Sequence, residues 1–250
     1  MLNKVPEVTL FFWIIKIMAT TVGETAADFL SVHLNLGLTG TAMATGVLLV
    51  AFLVAQMNAR KYVPWIYWIT VVLLSIFGTL LTDNLVDGFG VPLQTTTAVF
   101  SVALAATFIA WHASERTLSI HTITTTRREL FYWAAILFTF ALGTAAGDLA
   151  AEGMHLGYAT AALIYGGLIA MVACAYYVLK INAIAAFWIA YVLTRPFGAS
   201  CGDLLSQPVN NGGLGLGTVG TSTIFLVTIL ALVAYLTVSQ KAASNPPGRR

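Results

Sequence analysis

Charge is what this 250-residue chain lacks. Only 9% of its residues are Asp, Glu, Lys or Arg, against about a quarter in a soluble domain, while 58% are hydrophobic and the mean hydropathy is +0.85. That excludes an ordinary water-soluble fold and points to an integral membrane protein whose first partner is the lipid bilayer. Cysteine is scarce too: Cys174 and Cys201 lie in apolar segments and supply neither a disulfide framework nor a metal motif. The 12 Lys and Arg residues are scattered singly or in pairs and the net charge is +2, so there is no basic face for nucleic acid. A phosphate-binding loop is also missing, which argues against nucleotide-driven pumping. No cofactor is called for, no enzymatic activity is expected, and a homo-oligomer is compatible with the sequence.

Long apolar runs are what the chain has. Eight can be placed, at 8–30, 38–56, 63–86, 92–111, 130–150, 157–179, 183–206 and 218–238, each near the about 20 residues a helix needs to cross a bilayer. They lack the two-residue alternation of a membrane-barrel strand, so the expected fold is all-α with eight transmembrane helices. The first run carries Lys16 and Glu24 and no convincing cleavage site follows it, so it reads as a retained span. The polar segment 112–128 divides the chain into membrane halves 1–120 and 121–241, with a tail, 242–250, expected to be disordered. Lys4, Arg60, Lys61, Arg116, Arg127, Arg128, Lys180, Lys241, Arg249 and Arg250 all fall before odd spans or after even ones. By the positive-inside rule both termini are then cytoplasmic, and the loops after odd spans face outward.

The chain repeats itself. "WIIKIMATTVGETAAD", "WITVVLLSIFGTLLTD", "WAAILFTFALGTAAGD" and "WIAYVLTRPFGASCGD" begin at Trp13, Trp68, Trp133 and Trp188. In each, Gly follows ten residues after Trp (Gly23, Gly78, Gly143, Gly198) and Asp five residues later (Asp28, Asp83, Asp148, Asp203). The unit is two spans, so all four copies point the same way, and a pseudo-fourfold or doubled pseudo-twofold axis along the membrane normal is expected. Four tandem two-span repeats with this tryptophan resemble a bacterial integral membrane family catalogued as a repeat of unknown function. The resemblance covers nearly the whole chain and implies the eight-span architecture and a bacterial inner-membrane location. It implies no activity.

Trp and Asp are fifteen residues apart, about 22 Å of helix, so tryptophan at the inner side puts the carboxylates in the outer part of the membrane. An intramembrane carboxylate is costly and marks a functional site by default. The competing reading is that each Asp caps the even helix that follows, and that the tryptophans anchor at the lipid interface. Small residues around Gly and Asp predict that odd spans pack together and even spans face lipid. Threonines at the outer ends of even spans, including Thr41, Thr45 and Thr96, either line a polar vestibule or bond their own preceding turn.

Departures from fourfold regularity carry the most information. Lys16 and Arg195 are the embedded bases, expected to neutralise Glu24, Asp28 or Asp203 in a cluster between repeats 1 and 4, with Pro196 kinking span 7. The surplus of acids favours a cation. Because only repeats 1 and 4 carry bases, Asp83 and Asp148 are expected to be the ion-accessible pair. At the outward loops His33, Asp87, Glu152 and His155 form a candidate site for manganese, iron or zinc; His112 and His121 read as ordinary loop residues. The expected function is a transporter or channel for a small cation, a divalent metal or a proton-coupled one, through a cavity lined by the repeated Asp residues. A non-transporting sensor or partner subunit with capping Asp residues is the alternative, and an intramembrane aspartyl hydrolase rests only on the Gly-Asp pairs at Gly147 and Gly202.

Overall fold

A computed structural model describes residues 3–33 and 36–244, with the side chains of His33 and residues 240–244 outside that description. Asn35 and the expected tail beyond 244 are likewise outside it. Among the described residues there are eight long helices and no strand: α1 (Leu10–Asp28), α2 (Gly37–Asn58), α3 (Pro64–Asp83), α4 (Leu93–Glu115), α5 (Thr126–Asp148), α6 (Tyr158–Val178), α7 (Ala183–Ser206) and α8 (Gly217–Ser244). All eight have the length and apolarity of membrane spans. Their starts follow local chemistry: Thr9, Thr125 and Asn182 accept backbone N–H groups as N-caps, and Pro64 occupies the first turn of α3.

The odd helices form a closed inner ring, α1 on α3, α3 on α5, α5 on α7 and α7 on α1. Over an apolar 18-residue stretch of each span, between 56 and 67% of the odd helices is buried, against 11 to 22% of the even ones, so the even helices are the outer, lipid-facing layer. An even helix does not pack chiefly on the odd helix of its own repeat. Instead α2 packs on α3, α4 on α5, α6 on α7 and α8 on α1, so each repeat hands its second helix to the next and the last closes on the first.

The motif glycines explain how the ring closes. A Cβ at Gly23 would lie 2.6 Å from the Cβ of Ser75, at Gly78 2.6 Å from that of Phe140, at Gly143 2.5 Å from that of Arg195, and at Gly198 2.7 Å from that of Thr20. Each partner stands three residues before the motif Gly of the neighbouring repeat, so one contact is made four times round the ring. Without side chains at those points the backbones approach closely, which is how helices associate where lipid offers no hydrophobic drive. Hydroxyls add cross-links: Thr82 Oγ1 donates to the Ala141 carbonyl at 2.9 Å and Thr21 Oγ1 to that of Gly198 at 3.1 Å. Pro196 lies within the continuous helix α7, its ring against Gly143.

Each odd helix turns the same stripe toward the ring axis, with one residue every fourth position. On α1 it is Phe12, Lys16, Thr20, Glu24 and Asp28; on α3 Tyr67, Val71, Ser75, Thr79 and Asp83; on α5 Tyr132, Ile136, Phe140, Thr144 and Asp148; on α7 Phe187, Tyr191, Arg195, Ala199 and Asp203. All but Phe187 and three of the aspartates are buried. The bundle therefore has an aromatic end, near the termini, and an acidic end, with layers about 6 Å apart at 1.5 Å per residue.

Candidate functional site: an acidic cavity at one end of the ring

Beyond the motif Asp, α1, α3 and α5 each run into a single π-helical turn, at Phe29–His33, Asn84–Gly88 and Leu149–Gly153. Such turns concentrate at functional sites. Here they prolong the axial stripe by one more layer, Val32, Asp87 and Glu152, joined by Gln207 just past the end of α7. These four residues, the four motif aspartates and Glu24 line one cavity of about 440 Å³. Asp87 and Glu152 are exposed at its rim, and Glu152 Oε1 accepts the Tyr158 hydroxyl at 2.9 Å.

Seven carboxylates thus share one cavity. The described ion pairs are Lys4 with Glu129, Glu115 with Arg127 and Arg128, and Arg195 with Glu24, so no motif aspartate is paired with a base. Side-chain capping is not seen at Asp83 or Asp148 either. The residues that precede α2, α4 and α6 are Leu36, Pro92 and Gly157, none of which caps through a side chain. Deepest in the cavity, one oxygen each of Glu24, Asp148 and Asp203 lie within 4.8 Å of one another. An all-carboxylate set of this kind suits a hard cation such as magnesium, calcium or manganese.

Arg195 forms the floor. Its fully buried guanidinium donates to Glu24 Oε2 at 3.0 Å, to Thr144 Oγ1 at 2.7 Å, to the Thr20 carbonyl at 3.2 Å and to Thr79 Oγ1. The expected meeting of repeats 1 and 4 is there. Lys16 departs from expectation: it stands eight residues, about 12 Å, below Glu24, has no hydrogen-bond partner among the described residues, and rests 4.4 Å over the rings of both Phe140 and Tyr191. The bases therefore leave Asp28 and Asp203 as unpaired as Asp83 and Asp148, which removes the reason for ranking Asp83 and Asp148 as the accessible pair. Below Lys16 the axis is filled by rings, with the hydroxyls of Tyr67 and Tyr132 2.5 Å apart.

Other expected residues lie elsewhere. His155 is exposed and outside the cavity lining, while Asp87 and Glu152 reach the cavity; the side chain of His33 lies outside the described residues. The threonines of the even helices do not line it: Thr45 donates to the Thr41 carbonyl and Thr96 to that of Pro92. Trp68, Trp133 and Trp188 are buried, with Trp188 Nε1 donating to the Leu118 carbonyl at 2.9 Å, so they are core residues and not lipid anchors. His112 belongs to α4, not to a loop. The residue before each Trp (Phe12, Tyr67, Tyr132, Phe187) escaped the sequence reading, although the four-residue step back from Lys16, Val71, Ile136 and Tyr191 marks it.

A ring of four two-helix repeats, all of them apolar spans, with an acidic well at one end, defines a multi-pass membrane protein built by internal repetition. The chain belongs to the family described as Repeat of Unknown Function (DUF347), whose model matches it four times, over residues 11–62, 66–117, 131–182 and 186–242. The motif Trp is the third residue of every match. No curated protein and no solved structure matches the chain.

Proposed function

We propose that the protein carries a small cation across a bacterial inner membrane, admitting it through the acidic cavity. The observation behind this reading is the convergence of seven carboxylates on one cavity, of which Glu24 alone is paired with a base among the described residues, Arg195 beneath it. Like charges so confined repel, and a bound cation offsets that repulsion. The cargo is a divalent metal held by Glu24, Asp148 and Asp203, or a cation exchanged against protons. Lys4, Arg60, Lys61, Arg116, Arg127, Arg128 and Lys180 all stand at the end opposite the cavity, which by the positive-inside rule makes that end cytoplasmic and the cavity outward-facing. Arg195, Lys16 and the aromatic layers obstruct the axis below the cavity, so passage requires the ring to rearrange, as carriers do. The alternative, a non-transporting module with capping Asp residues, is less favoured because Asp83 and Asp148 make no side-chain cap bond.

Purified protein in proteoliposomes, with a metal-sensitive or pH-sensitive dye inside, tests this. Asp148→Asn and Asp203→Asn should each lower manganese or proton flux about tenfold to a hundredfold, the equivalent of the ~1.5–3 kcal/mol of a charged contact, with little change in thermal stability. Full flux in all four Asp→Asn variants sinks the proposal.

A further inference from the structure

A second concavity lies on the outer surface at the opposite end of the molecule. It is a furrow of about 650 Å³ between the last turns of α4, the connection that follows, and the first three turns of α7. Phe108, Leu118, Trp188, Ile189, Val192 and Leu193 give it an apolar bed. Along α7 it reaches from Asn182 to Leu193, about 16 Å at 1.5 Å per residue, which is about half of a hydrocarbon core of about 30 Å, the depth of one leaflet.

Its polar end is built differently from its bed. Arg116 ends α4 in a left-handed conformation, φ 57°, and stands exposed at the rim with His112. The adjacent Glu115 is engaged by Arg127 and by Arg128, the latter at 2.8 Å, so Arg116 has no ion pair among the described residues. Asn182, also at the rim, caps α7 by accepting the N–H groups of Ile184 and Ala185 on its Oδ1, and its amide nitrogen has no hydrogen-bond partner among the described residues. The rim thus combines an unpaired guanidinium, an imidazole and an amide donor, all of which favour an anion, at the positive end of a 24-residue helix whose N–H groups at Ile184 and Ala185 are taken by Asn182. The furrow also breaks the fourfold pattern. The α4–α5 connection, residues 116–125, is longer than the α2–α3 and α6–α7 connections, and it is the one whose Leu118 carbonyl is fastened to Trp188.

We infer that the furrow holds one acyl chain of an anionic phospholipid, with the phosphate at Arg116, His112 and Asn182. Apolar bed, leaflet-deep length and a cationic rim at one end match an amphiphile with one charged head, and the furrow lies where lipid already surrounds the protein. This inference is independent of cation transport.

Native mass spectrometry of the full chain in mild detergent, with added phosphatidylglycerol or phosphatidylcholine, provides the test. One phosphatidylglycerol per chain should be retained in preference to phosphatidylcholine. Arg116→Ser should weaken its retention about fivefold, in line with about 1 kcal/mol per basic residue at an anionic surface. Ala185→Trp, at an exposed position of the furrow, should abolish it while the variant keeps its helical circular dichroism and elution volume. Equal retention of both lipids, or phosphatidylglycerol retention untouched by both substitutions, would overturn the assignment; so would a chain that is dimeric until Ala185→Trp makes it monomeric, because a second copy would then be the occupant.

Discussion

Arg195 meets Glu24, two threonine hydroxyls and a carbonyl with no access to water, and its weight is felt in what its removal strands. Arg195→Leu leaves Glu24 buried without a counter-charge, a change that costs about 3–5 kcal/mol when a buried pair loses one partner. Adding Glu24→Gln removes the stranded charge, so the double variant should recover much of the loss in thermal unfolding, whereas strictly additive damage would mean the two residues do not act together. Lys16 differs in kind. It is as deeply buried but has rings for company, a cation–π setting that attracts without neutralising. Sequence spacing located both bases correctly on repeats 1 and 4. It did not distinguish them, because the difference is the direction each side chain takes from a neighbouring helix.

Among the helices, the ring depends on four bare backbone contacts at Gly23, Gly78, Gly143 and Gly198. Gly78→Ala would drive a methyl against Phe140 and should destabilise by about 1–3 kcal/mol, as overpacking does. The outer helices supply the control. At Gly167 on α6 and Gly220 on α8 no atom of the described residues lies within 4 Å of where a Cβ would stand, so alanine there should be neutral or stabilising by about 0.5–1 kcal/mol through the helix preference of alanine over glycine. Thermal melts of the three variants in one detergent decide this, and a Gly78→Ala melt like that of Gly167→Ala would refute the close-approach account. The π turns after Asp28, Asp83 and Asp148 belong to this scale too. They extend three inner helices far enough to place Asp87 and Glu152 at the rim, an extension that hydrophobicity alone does not signal.

For the whole molecule, parallel repeats give it two unlike ends: a base-rich end, where α1 begins and α8 ends, and an acid-rich end with the cavity. Single cysteines at Gly153 and Asn211, in a background without Cys174 and Cys201, should react with an impermeant thiol reagent applied to intact cells, while one at Arg60 should react only after permeabilisation. The reverse pattern would invert the proposed orientation and put the cavity inside. Handing each even helix to the next repeat also means that no repeat is complete alone, since α1 is covered by α8. Association of the first and last spans therefore closes the ring.

The amino-acid sequence alone carried the eight spans, the repeat of Trp, Gly and Asp at fixed intervals, the inner and outer layers, and a meeting of acid and base between repeats 1 and 4, because hydropathy, small-residue patterning and the cost of an unpaired charge are local or pairwise properties. It left open whether the aspartates cap helices or converge, where Lys16 points, which tryptophans are buried, and which even helix covers which odd one. Those were decided by the ring: five-residue stripes on four helices become one axis only after the helices are set side by side, and a carboxylate that looks like a cap in one repeat becomes part of a shared cavity when three others face it.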